Sequence, residues 1–272
     1  MTVRMFLGNE PATAIAPDDR GLAYGESLFE TMRAHCGDVP WWGGHMTRLT
    51  RGAERLAMPL PDAARMHEEA KLLLDGNDAV LKLQLTRGGG VRGYAPGPDA
   101  PPFWMLSKHP LPAHRERVNV MWCETTLAIQ PRLAGLKHGN RLEQVLAANE
   151  VRHAGADEGL MRDVTGDVIA ATSANLFIFV DGSWRTPALD HCGVAGVMRD
   201  WAIPQVGARI TSLKPADIEC ADAVFLCNAV RGILPVRQLG TRVWPQVHPE
   251  IRLLQARLAQ AHPGFESPLE AL

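Results

Sequence analysis

The sequence predicts an α+β fold of two domains. Strand-like segments cluster in runs, and the helical patterns stand between those runs without regular alternation. A polar stretch with two prolines, KHPLPAHRER at 108–117, separates two halves. A regular β-α-β alternation, the mark of a doubly wound parallel sheet, is missing. The expected division is an N-terminal α/β domain at 1–107, a linker at 108–117 and an α+β domain at 118–272.

In the first half, 5–7 and 27–34 read as strands. A helix is expected over 45–58, with Met46, Leu49 and Leu56 among its apolar positions, and a second over 63–74. VLKLQLT (80–86) alternates apolar and polar residues as a half-buried strand does, and 103–107 is a further short strand. The second half opens with a strand at 118–121. From Leu142 the spacing of Leu142, Val145 and Leu146 reads as an amphipathic helix, with Asn140 as its N-cap. Strands at 159–163, 168–171, 176–180 and 184–186 follow as an antiparallel meander. Asp181-Gly182 inside it favours a two-residue type I′ hairpin. CGVAGVMRDWAI is a glycine-bearing turn running into a helix. ADAVFLCNAVRGILPV is a strand, a polar turn and a short strand, and a helix is expected at 249–261.

Composition narrows the functional classes. The 272 residues are 46% hydrophobic and 21% charged, the profile of a chain with a real core. With 28 basic and 30 acidic residues, the net charge of −2 gives no reason to expect nucleic acid as a partner. No apolar run approaches the ~20 residues that span a bilayer, and the N-terminal stretch lacks the pattern of a signal peptide. Cys36, Cys123, Cys192, Cys220 and Cys227 are scattered and odd in number, which fits neither a disulfide framework nor a zinc site. A reducing cytoplasm is the expected setting.

The most informative short stretch is GLKHGNRLEQ at 135–144. Lys137 precedes an expected helix N-terminus and neighbours His138, and both disfavour an ammonium there. A lysine whose charge is disfavoured is a candidate amine nucleophile, although lysines at large are mostly solvated. GVAGVMR (193–199) leads a glycine turn into a helix, where exposed amides suit a phosphate, and the amides of Asn228-Ala229 could add a second set. Arg48 would supply a fixed cation. TRGGGVRGY (86–94) lacks the Gly-Lys-Ser/Thr of a nucleotide loop. It reads either as a plain hairpin connection or as a loop presenting Arg92 and Tyr94 to an anionic ligand. Neither a nucleophile elbow nor a His-x-x-x-His metal pair is present.

Taken together, LAGLKHGNRLEQVLAANE, ADEGLMRDVTGDVIAATSANLFIFVDG, CGVAGVMR and VFLCNAVRGILPV resemble the branched-chain-aminotransferase-like group of pyridoxal-phosphate enzymes, fold type IV. DDRGLAYGESLFETMR and HMTRL are similar to the same family, so the resemblance covers nearly the whole chain. It implies a two-domain fold with mixed and antiparallel sheets and flanking helices, and a homodimer. It implies that Lys137 attaches pyridoxal 5′-phosphate. Arg48 would bind the phosphate, with the backbone around Val197 and Met198 and around Asn228 and Ala229. Arg92 and Tyr94 would lie near the substrate.

KHGNRLEQ departs from the transaminases of the group, which usually carry an aromatic or another residue type where Arg141 stands. The implied reaction is a lyase step giving 4-aminobenzoate and pyruvate from 4-amino-4-deoxychorismate. The alternatives are an aminotransferase of D- or branched-chain amino acids and a non-catalytic ligand binder. The last arises from Ala170, five residues before Asn175, where the family usually has a glutamate facing the cofactor's ring nitrogen. Alanine leaves the electron sink weaker, which hinders transamination more than an elimination driven by aromatisation.

Overall fold

The computed structural model describes residues 2–90, 92–97 and 100–265. It divides into two compact units, Met1–Leu111 with Leu136–Asn140, and Pro112–Gly135 with Arg141–Leu272.

The first unit contains β1 (Thr2–Leu7), β2 (Glu10–Ala12), α1 (Arg20–Tyr24), β3 (Ser27–Ala34), α2 (Trp42–Arg55), α3 (Ala63–Leu74), β4 (Ala79–Thr86) and β5 (Phe103–His109). The strands form one antiparallel sheet in the order β2-β1-β5-β4-β3. Strand β3 alternates strictly, turning Leu28, Glu30, Met32 and Ala34 inward. Its apolar residues join Leu81, Leu83, Leu85, Trp104 and Leu106 of the neighbouring strands in a core that includes Leu49 of α2 and Leu74 of α3. Helix α2 begins three residues before the expected 45, despite Gly43 and Gly44. Trp42 packs against the core and stacks on His67 at 4.7 Å, and this contact outweighs the poor helix propensity of the glycines. The helix ends before the expected 58 because Ala57 turns left-handed, at φ 49°.

Two features differ from the expected division. Lys108 and His109 belong to β5, paired with Leu81 and Val80, so the strand runs into the expected 108–117 linker. Leu136–Asn140 joins the first unit although it lies far downstream. There it runs along the free edge of β3: Phe29 N–H donates to the Lys137 carbonyl at 3.0 Å, and Gly139 N–H donates to that of Ser27 at 2.8 Å. A pairing so remote in sequence leaves no trace in local composition. Asn140 is also not the N-cap of the following helix. Its side chain lies against Gly25, where an added Cβ would come within 2.1 Å of the Asn140 Oδ1.

The second unit contains β6 (Val118–Trp122), α4 (Leu142–Ala154), β7 (Glu158–Arg162), β8 (Val168–Ala171), β9 (Asn175–Val180), β10 (Ser183–Pro187), α5 (Val197–Val206), β11 (Arg209–Thr211), α6 (Pro215–Glu219), β12 (Ala223–Asn228), β13 (Gly232–Leu239), β14 (Arg242–Val243) and α7 (Pro249–Ala261). Its mixed sheet has the order β11-β10-β9-β12-β13-β6-β7-β8, with β14 beside β13. Strand β6 is parallel to β13 and β7, and β10 to β11.

The expected meander is therefore broken in the middle. β7–β8 and β9–β10 are hairpins, but β9 pairs with β12 and not with β8. A tight turn, Ala171 N–H to the Ala174 carbonyl at 2.8 Å, redirects the chain. Leu176, Phe177 and Ile178 then bury completely, with Phe177 stacked on Phe225 of β12 at 4.7 Å. Asp181 and Gly182 both take positive φ, 51° and 68°, as a type I′ turn requires. In α4 the buried stripe is Ala147 and Val151, whereas Leu142, Val145 and Leu146 are exposed. The apolar spacing thus marks an outward face of this helix. Among the described residues no helix is long and apolar enough to cross a membrane.

Candidate active site

In the first unit the pairing of 137–139 with β3 fixes Lys137 by its backbone and sets its Nζ 4.3 Å from the centre of the Phe29 ring. One residue along β3, the alternation points Glu30 into the interior, with 1% of its surface exposed. His45 and Arg48 sit three apart on α2 and so share a face. They meet Glu30 there. Arg48 Nε donates to Glu30 Oε1 at 2.8 Å and one Nη donates to Oε2, while His45 Nδ1 lies 2.6 Å from Oε2.

Burial pushes the Glu30 carboxyl up. The hydrogen bonds and charge of Arg48, then those of His45, outweigh it and hold the group below its ordinary value. Burial also pushes His45 down, and the charges of Arg48 and Lys137 add to this against the pull of Glu30. His45 is thereby neutral at pH 7, with Nδ1–H on Glu30 and a buried Nε2 that has no hydrogen-bond partner. Arg48, expected to face a phosphate, has two of its donors committed to Glu30, which fixes the guanidinium in place.

Arg92 and Tyr94 lie in the connection between β4 and β5. Both are exposed, Tyr94 at 88%. Their backbone is nonetheless tethered. Arg20 donates to the Gly93 and Tyr94 carbonyls at 2.8 and 2.7 Å, and Gly93 N–H donates to the Tyr24 hydroxyl at 3.1 Å. Buried Arg20 is itself paired with Glu26.

In the second unit, Gly193 takes φ 87° and Gly196 is the N-cap of α5. A Cβ at residue 196 would fall 2.0 Å from the Asn175 Oδ1, so only glycine fits. The side chains of Val197 and Met198 are buried. Their amides, as first-turn donors, lack helical acceptors. Arg199 turns inward, donating to the Pro187 carbonyl at 2.9 Å, and is no part of this exposed end. In the β12–β13 turn, Asn228 Oδ1 accepts from the amides of Val230 and Arg231 at 3.0 and 2.8 Å. The Ala229 amide, just before them, has no acceptor among the described hydrogen bonds. Ala170 is half-buried on β8, opposite Met161 and packed among apolar side chains.

Taken unit by unit, the chain offers an amine with a fixed guanidinium, and two sets of backbone donors. Such groups suit an aldehyde that carries a phosphate. Sequence reasoning missed Glu30, His45, Arg20 and Tyr24. An acidic residue at an inward position of β3 was the available signal for Glu30.

The chain belongs to the class IV amino-transferase family, whose profile matches residues 27–239. It is 36% identical over 237 residues to the aminodeoxychorismate lyase of Vibrio harveyi, covering 83% of this chain and 88% of that one. It is also similar to the crystal structure of 4-amino-4-deoxychorismate lyase from Pseudomonas aeruginosa. There the TM-score is 0.88 and the identity 43%, over 95% of this chain and 99% of that one. The fold is shared with the branched-chain amino acid aminotransferase from Escherichia coli (TM-score 0.85, 22% identity, 97% and 96% covered).

Proposed function

We propose that this protein is a pyridoxal 5′-phosphate-dependent carbon–oxygen lyase that converts 4-amino-4-deoxychorismate to 4-aminobenzoate and pyruvate, a step of folate biosynthesis. The observation that carries the reading is Lys137. Its backbone is pinned to the edge of β3 and its charge acts on His45 of the Glu30–His45–Arg48 cluster, in a chain 43% identical to a lyase of this reaction. Lys137 would hold the cofactor, Arg48 and the amides of Val197, Met198 and Ala229 would hold its phosphate, and Asn228 shapes the turn that presents the last of these.

Once bound, the cofactor withdraws electrons from the substrate carbon that bears the amine. Lys137 Nζ, freed once the substrate's amine has replaced it, would take the proton from that carbon, the bond from the ring to the enolpyruvyl oxygen would break, and the ring would become aromatic. Lys137 then returns a proton to the departing methylene carbon, giving pyruvate. Arg92 pairs with a substrate carboxylate, and Tyr94 lies beside it. Ala170 provides no carboxylate for the ring nitrogen. This suits a reaction pulled by aromatisation better than one that depends on a long-lived carbanion.

A homodimer is in keeping with the exposed Leu142, Val145 and Leu146 of α4, and a cytoplasmic setting with five cysteines free of disulfides. The test is pyruvate release from 4-amino-4-deoxychorismate with and without added pyridoxal phosphate. Cofactor-dependent pyruvate is expected. Amino exchange with a 2-oxo acid and no pyruvate would make the protein an aminotransferase, and failure to bind the cofactor would make it a non-catalytic binder.

A further inference from the structure

We infer that Glu158, a buried carboxyl outside the catalytic steps described above, is a positioning residue that sets both backbone donor clusters of the second unit for a phosphate ester. The inference rests on the cofactor reading above.

Glu158 begins β7 and is buried. Its Oε1 accepts from the Thr172 hydroxyl, and its Oε2 from the Ser173 hydroxyl at 2.5 Å. The amides of Gly159 and Ser173 also bond to this carboxyl. Every one of these donors except Gly159 lies in the turn between β8 and β9, so a single carboxyl holds that turn from beneath.

The turn then reaches both donor clusters. The Ser173 carbonyl accepts from Asn228 Nδ2 at 3.3 Å, which orients the side chain whose Oδ1 folds the β12–β13 turn around Ala229. Two residues past Ser173, Asn175 donates to the Val194 carbonyl at 2.9 Å, and its Oδ1 lies against Gly196 at the head of α5. Displacing 172–175 would therefore shift the Ala229 amide and the amides of Val197 and Met198 together. The only acidic side chain in this network is Glu158. A carboxylate is suited to the post because it accepts several hydrogen bonds at once, which an amide side chain cannot match.

The experiment compares two ligands, pyridoxal 5′-phosphate and pyridoxal, which differ only in the phosphate. Both are titrated by absorbance into wild type, Glu158→Gln, Ser173→Ala and Thr172→Val. Glu158→Gln is expected to weaken pyridoxal 5′-phosphate binding roughly tenfold or more and to leave pyridoxal within about twofold. Ser173→Ala and Thr172→Val should give smaller losses of the same selectivity. They carry the test if Glu158→Gln shows no cooperative melting transition.

A parallel loss for both ligands would mean that Glu158 merely stabilises the unit, and no loss for either would mean that it does not set the donors. Each outcome overturns the inference while leaving the cofactor reading intact. Failure of wild type to bind pyridoxal 5′-phosphate overturns both.

Discussion

The two units present groups suited to an anion by opposite means. The first gathers ionised side chains in its interior: Glu30 accepts from Arg48 and His45, within the field of Lys137. The second offers amides, at the head of α5 and at Ala229, set by hydrogen-bonding side chains and by the buried Glu158 carboxyl behind them. A cluster of buried charges depends on every member, because removing one strands another in a medium that solvates it poorly. An amide belongs to the backbone and survives replacement of its own side chain. Substitutions and acid should therefore strike the first unit harder than the second.

The largest expected effect is at Lys137. Lys137→Ala should remove the visible absorbance of the lysine-bound cofactor and lower pyruvate release by at least about 10²–10⁴-fold, the range for a lost proton-transfer group. Retention of both would show that another amine does the work.

Glu30→Ala comes next. It leaves the half-buried Arg48 without its carboxylate and should cost about 3–5 kcal/mol of stability, read from urea unfolding. Met198→Leu, whose side chain is buried but whose amide is unchanged, should cost less than about 1.5 kcal/mol. Equal costs would erase the contrast between the units.

Acid should show the same asymmetry. Glu30 is held below its ordinary value of 4.5, so its contribution is present above that pH and is lost as pH falls through the folded value. His45 is held below 6.5, so the unfolded chain takes up a proton that the native state refuses, and stability begins to fall below that pH. Both act in one direction. Amide exchange followed from pH 7 to pH 4 should report opening of β3 and α2 before β9 and β12, and the reverse order would contradict the assignment.

A smaller effect than those at Lys137 and Glu30 is expected at Arg92. Arg92→Ala removes one charge-assisted contact of about 1.5–3 kcal/mol, so the KM for 4-amino-4-deoxychorismate should rise roughly tenfold to a hundredfold. Affinity for the cofactor should be unchanged, and a matching loss of cofactor binding would put Arg92 on the phosphate.

What could be read from the sequence follows from the range of each signal. The 63–74 and 249–261 helices and the Asp181-Gly182 turn depend on local periodicity and turn chemistry, and they stand where expected. The sheet order depends on partners distant in sequence. Nothing within a few residues of Asn175 says that β9 will seek β12, so a meander was the natural but incorrect expectation. Residues able to form a site were legible as types at spacings, as with Lys137 before a helix and glycines before α5. Their supporting partners were not. Glu30, His45 and Glu158 matter through whom they face, and only the folded chain supplies that.

The strip at 137–139 that closes the edge of β3 also bears on how the chain comes into being. An exposed strand edge is a template for unwanted pairing with other chains. During synthesis the sheet of the first unit can assemble once β5 has emerged, but its β3 edge stays open until Gly139 has been made and returns to Ser27. That closure spans a long loop, and contacts of large sequence separation form slowly. A nascent chain halted after β5 carries a nearly complete unit with an unprotected edge, and is the species most exposed to aggregation. The lysine proposed to hold the cofactor thus arrives on the segment that makes the first unit safe.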